Sequence, residues 1–307
     1  MFPTDAVERV PLVVDGEEVA AIYGQSYAKS EQRDNLAWKF NRAAGDRFSI
    51  GMLHTQVGSR DSTYAPCTLE DLKECGMDYW ALGHIHKHEI LCEKPYVVYA
   101  GNPQGLDCTE TGPRGCYYVE VGPYGTTDLE FIDTSIVRWE SIDLAIDGIE
   151  SVSELRESVR FAKEKLRGDI GKPTFLTVNF TGSGSMYHVL NNPEATQYWL
   201  ESWREEEQGK YAFVMVERLR NLARPKMNMD ERSKLPDSVG DYLNVFDKLE
   251  KLAPEERAKA LRDILMSRPE FERLGAYGRA LTDQRLLETF EKAKWLGVQK
   301  LLEHRRG

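Results

Sequence analysis

The five cysteines, Cys67, Cys75, Cys92, Cys108 and Cys116, contain no CxxC pair. A thiolate zinc site and a disulfide framework are therefore not expected, and the thiols read as reduced and partly buried. No stretch approaches the run of about 18 apolar residues that a transmembrane helix needs. The opening MFPTDAVERV has neither the basic flank nor the hydrophobic segment of a secretory signal, so no membrane association is expected and the cytoplasm is the expected compartment. Internal repeats and low-complexity tracts are also missing. What is present, 307 residues at 41% hydrophobic and 29% charged, is too apolar for intrinsic disorder and long enough for two domains.

Charge is unevenly spread: residues 1–150 hold 12 Lys/Arg against 25 Asp/Glu, and residues 151–307 hold 28 against 25. The mean field of the first half repels nucleic acid unless bound cations offset it. A metal site would reconcile that acidity with a phosphate substrate.

The first 140 residues read as short strands, at 10–14, 19–23, 48–53, 79–82, 96–100, 116–121 and 129–133, because their β-branched and aromatic residues suit a half-buried sheet. Helices are expected at 30–43 and 69–75, the second opened by a capping box at Thr68 and Asp71. A second unit begins near Arg138. It has a strand carrying Ile142, Leu144 and Ile146, then a helix with Leu155, Val159, Ala162 and Leu166 at helical spacing, ended by Gly168, and a strand at 174–181. A helix over 193–207 and a strand over 211–216 follow. The rest is polar and then helical, at 241–252, 254–267 and 282–304, the last with an apolar stripe of Leu286, Phe290, Ala293 and Leu301.

Three of the six histidines fall in the run DYWALGHIHKH at 78–88. A strand enters Gly83, which lets the backbone turn tightly or approach a ligand; if the chain stays extended, His84 and His86 project to the same side. Neutral imidazole is the commonest metal ligand, so the pair forms a candidate half-site.

This run resembles the last metal-binding motif of the calcineurin-like metallophosphoesterases, in the SbcD/YhaO-like DNA-repair exonuclease branch. The stretch IGMLHT at 50–55 is similar to the preceding motif, YAPCTLEDL at 64–72 to the segment between them, and YAGNPQG with ETGPRGCYYVEV, at 99–105 and 110–121, to the segment after them. Coverage is good over 10–135 and looser beyond. The resemblance implies an α/β fold: the C-terminal half of a metallophosphoesterase β-sandwich with flanking helices over 1–137, a small α+β capping domain facing DNA over 138–222, and a helical region over 223–307. It implies that His54 and His84 ligate one metal and His86 the other, in a two-metal centre usually filled by manganese. His88 matches no family ligand and reads as a solvated loop residue, His188 as structural and His304 as solvated.

The family's earlier motifs, D-x-H, G-D-x-x-D and G-N-H-D, do not occur here. The sequence reads as though it starts past them, so the expected centre has an incomplete ligand set and weak or no activity. No catalytic residue is assigned, because the general-acid histidine belongs to the missing G-N-H-D, and no substrate-binding residue is identified. The implied function is a metal-dependent DNA exonuclease or phosphodiesterase, with DNA as substrate and an SbcC-like coiled-coil ATPase as partner through the C-terminal helices; a homodimer stays open. The competing readings are a non-catalytic module binding that ATPase and a phosphatase acting on small phosphoesters.

Overall fold

The computed structural model describes every residue except 60, 126, 228, 274–280 and 304–307, so His304 lies outside the described residues. Two compact units alternate along the chain. One comprises Met1–Leu144, Ser153–Phe180 and Asn192–Arg220, the other Ala145–Val152, Thr181–Asn191 and Asn221–Gly307.

In the first unit, β1 (Glu8–Val14), β2 (Glu17–Gln25), β3 (Ser49–His54), β4 (Tyr79–Gly83), β5 (Glu89–Glu93) and β6 (Tyr96–Tyr99) form one sheet in the order β1-β2-β3-β4-β6-β5. The inner four strands run parallel, and β1 and β5 close the edges antiparallel. Parallel strands are covered on both faces and so are apolar almost throughout; β4 shows this, with Tyr79, Trp80 and Leu82 all buried. Trp80 and Leu82 join Tyr23, Leu53, Val97 and Tyr99 in a core that also takes Phe40 and Leu72. Tyr79 and Val98 point the other way, toward Tyr117, Val119 and Leu129 of the hairpin β7 (Gly115–Val121) and β8 (Thr127–Asp133).

Helix α1 (Leu69–Glu74) has the expected capping box: Asp71 N–H donates to Thr68 Oγ1 at 3.1 Å, and Thr68 N–H to Asp71 Oδ2 at 2.8 Å. The helix expected over 30–43 is replaced by a single 3-10 turn at Leu36–Lys39. Gln32 forms a β-bridge with Tyr64, which holds the preceding residues extended, and Asn35 caps the turn by accepting from Ala37 N–H.

Further along, β9 (Arg138–Ala145), β10 (Thr174–Thr181) and β12 (Val214–Asn221) form a second sheet in the order β12-β10-β9, accompanied by α2 (Val152–Ile170) and α4 (Pro193–Glu205). Leu155 and Val159 on α2, Leu176 and Val178 on β10, Val214 and Val216 on β12, and Trp199 and Trp203 on α4 are buried. Two details differ from the sequence expectation. The helix runs through Gly168 and stops at Gly171, which adopts φ +65 and donates its N–H to Arg167 O, as a left-handed cap does. The strand expected at 211–216 starts at Val214, because Tyr211 lies in an exposed turn. Lys163, on the inner side of α2, meets the carboxylate of Glu207 at 2.9 Å with both side chains buried.

The second unit contains the short parallel pair β11 (Ser183–Gly184) and β13 (Arg224–Pro225) and the helices α3 (Tyr187–Leu190), α5 (Met229–Ser233), α6 (Ser238–Glu250), α7 (Pro254–Met266), α8 (Pro269–Glu272) and α9 (Asp283–Glu303). Helix α9 packs against α6 and α7. Its buried positions are Leu286, Phe290, Lys294 and Val298, whereas Ala293 of the expected stripe is exposed. Lys294 is accommodated by Glu250, 3.0 Å away. No helix among the described residues is long and apolar enough to cross a membrane.

Candidate functional site

In open parallel sheets, ligands gather outside the carboxyl ends of the strands, and two histidines stand there. His54 is the last residue of β3 and pairs across the ladder with Gly83, the last residue of β4. A Cβ on Gly83 would sit 3.1 Å from His54 Nδ1, so only glycine leaves that ring undisturbed. His84 follows at once. Its φ is 112, a conformation that L side chains rarely adopt. The extended backbone expected through His84 and His86 is therefore not what forms: the strand ends at Gly83 and the chain turns sharply at His84.

That turn brings the imidazoles of His54 and His84 together, with ring centroids 5.3 Å apart at 71°. Tyr64 stacks on His84 at 4.4 Å, and Tyr27 meets the edge of His54 at 5.4 Å while its hydroxyl donates to the His54 carbonyl. Lost hydration lowers the pKa of His54, and positive charge on His84 or His86 lowers it further; His84 is lowered by lost hydration and then by His86. Both imidazoles are thus held neutral near pH 7, the form that offers a lone pair to a metal.

His86 faces elsewhere. Its ring is exposed, and Nδ1 lies 2.6 Å from Glu110 Oε1. The other carboxylate oxygen, Oε2, accepts from Asn102 Nδ2 and from Leu106 N–H, both at 2.8 Å. Burial would raise the Glu110 pKa, but these partners hold it down at about 2. Arg114, itself buried, donates to the His86 carbonyl and to Asn102 Oδ1.

Other acidic residues near the motifs in sequence are engaged away from the imidazoles. Asp78 pairs with Arg42 at 3.0 Å and accepts from Ser49 N–H at the opposite end of β3, and Asp107 binds Thr109. His88 is not a solvated loop residue: it stacks on Phe131 at 3.9 Å, and burial lowers its pKa. His188 is exposed on α3 in the other unit.

Three nitrogen donors, two of them kept neutral, fit one side of a divalent-ion site. Hard or borderline ions also take carboxylate oxygen, and the one carboxylate beside these rings is already committed to His86, Asn102 and Leu106. Among the described residues, no group of three or more His, Cys, Asp or Glu is placed to hold an ion.

The sheet and its paired imidazoles thus define an α/β protein with candidate metal donors at parallel strand ends. Comparison with known proteins narrows this. Residues 139–224 match the family described as metallophosphoesterase YhaO, middle domain. The chain is also 33% identical over 233 residues to the uncharacterized metallophosphoesterase YhaO of Bacillus subtilis (strain 168), a match covering 75% of this chain and 56% of that protein. The chain thus spans about half the length of this curated relative. Both matches support a metallophosphoesterase, a class of hydrolases that generally uses divalent metals.

Proposed function

We propose that this chain carries the imidazole side of the metal centre and the capping domain of an SbcD/YhaO-like DNA exonuclease of cytoplasmic DNA repair, using manganese. His54 and His84 hold one ion and His86 the other. The observation that carries this reading is the convergence of the His54 and His84 rings, 5.3 Å apart, at the carboxyl ends of β3 and β4. When bound, divalent ions supply Lewis-acid stabilisation of a phosphoryl group and a water of lowered pKa. The protein's own part is to present neutral nitrogens: β3 and β4 fix two rings in register, and Tyr64 and Tyr27 limit their rotation.

The exposed Arg218 and Arg220 on β12 support a polyanionic substrate, since guanidinium groups suit phosphate oxygens. Exposed Val245, Ile264, Met266 and Leu296 on α6, α7 and α9 support a partner such as an SbcC-like ATPase at the helical region.

Titration with Mn²⁺, followed by electron paramagnetic resonance and by cleavage of an end-labelled DNA duplex, tests the proposal. Weak Mn²⁺ binding that falls by about tenfold or more in His84→Ala is expected, with any DNA cleavage dependent on the metal. Mn²⁺ binding and cleavage both unchanged in His84→Ala would overturn it.

A further inference from the structure

We propose that Glu110 is a positioning residue that locks His86 in the tautomer protonated on Nδ1, so that Nε2 is the nitrogen presented to a metal ion. This rests on the reading of His86 as a ligand, and it adds a residue that supplies no ligand itself.

The geometry is specific. An ionised carboxylate can only accept hydrogen bonds, and a neutral imidazole has one donor nitrogen and one acceptor nitrogen. With Nδ1 at 2.6 Å from Glu110 Oε1, the proton must lie on Nδ1 and the lone pair on Nε2. Glu110 is not free to follow the ring. Its side chain is 15% exposed against 61% for His86, and Oε2 is held by the Asn102 amide and the Leu106 N–H.

The backbone of His86 is held as well. Its carbonyl accepts from Asn102 N–H at 3.1 Å and from the Arg114 guanidinium. Gly101, at φ +79, passes so close that a Cβ there would lie 2.7 Å from that carbonyl oxygen. Residues 101–114 therefore enclose His86 from several directions while leaving its Nε2 edge outward. An arrangement in which a carboxylate orients a metal-binding imidazole raises ligand basicity and fixes ring direction, and its loss typically weakens metal affinity by about 10–100-fold.

The test begins with the wild-type full chain, metal-free and at mildly alkaline pH, using long-range ¹H–¹⁵N correlation of the imidazoles, with His86 assigned by its loss in His86→Asn. The Nδ1–H pattern is expected for His86. An Nε2–H pattern overturns the proposal without recourse to any variant. In Glu110→Gln, the replacement cannot accept from both Asn102 and Leu106 at the position of Oε2, and the His86 pattern should shift to a mixture with Nε2–H. A pattern unchanged in Glu110→Gln, with the amide spectrum showing a folded chain, also overturns it.

Mn²⁺ affinity of the same two proteins is then compared, and a weakening of about 10–100-fold is expected. A tautomer shift accompanied by no Mn²⁺ binding in either protein would leave Glu110 as the positioning residue and remove the metal reading instead. Binding of equal strength despite the tautomer shift would overturn the role toward the ion.

Discussion

The buried pair Lys163 and Glu207 offers the sharpest test of what holds the first unit together. Glu207 is reached by Lys163 at 2.9 Å, Arg167 at 2.8 Å, Lys210 at 3.1 Å and the Val214 N–H at 2.9 Å. Burial would raise its pKa, but these four donors bring it down to about 2. The fall from an ordinary glutamate value near 4.3 corresponds to about 3 kcal/mol of stability. Glu207→Gln removes that and strands a Lys163 ammonium whose side chain is 2% exposed, so a loss of about 3–5 kcal/mol is expected. Because the folded pKa is depressed, the contribution is fully present above the unfolded value and disappears as pH falls toward about 2. The gap between wild type and Glu207→Gln should therefore be constant from neutral pH to about pH 5 and close below it. Hydrogen exchange of the Val214 amide, which donates directly to Glu207, reads this locally; urea unfolding reads it globally. Adding Lys163→Met to Glu207→Gln should recover part of the loss by removing the unpaired charge. A single-variant loss below about 1 kcal/mol, or a gap that widens with acid, would refute the reasoning.

Other expectations follow from the sheet and the site. Gly51→Ala places a Cβ 2.4 Å from the Trp80 ring, which should cost about 1–3 kcal/mol through overpacking, measured by urea denaturation. Thr68→Ala removes one half of the capping box on α1 and should cost about 1 kcal/mol in the same assay. Since His54 and His84 both have lowered pKa values, their protonation sets in below the ordinary histidine value; Mn²⁺ affinity carried by these two rings should hold as pH falls from about 7.5 to about 6.5 and drop only below it. A steep loss already above about pH 7 would contradict that.

Much of the sheet could be read in the sequence. β3, β4 and β6 were visible as apolar runs because parallel strands bury both faces, and the histidine after each of the first two marked a strand end. The segment 30–43 misled because helix-compatible residues there are captured by a bridge from Gln32 to Tyr64, a tertiary pairing that no local propensity encodes. The turn at His84 was hidden for a related reason. Gly83 looked like the flexible point, yet the unusual φ falls one residue later, where the ring must reach His54. Glu110 escaped as a partner of His86 because it lies 24 residues away, beyond any periodicity, and is delivered by the loop that Asn102 and Arg114 brace.

The alternation of the two units has a consequence for synthesis. The chain passes from one to the other five times, at 144/145, 152/153, 180/181, 191/192 and 220/221. As the polypeptide leaves the ribosome, the early pieces of the helical unit, Ala145–Val152 and Thr181–Asn191, emerge long before the helices from Asn221 onward that they join. No single proteolytic nick can release either unit whole, and a gene split at any one of these crossings yields two products that each need the other to complete a core.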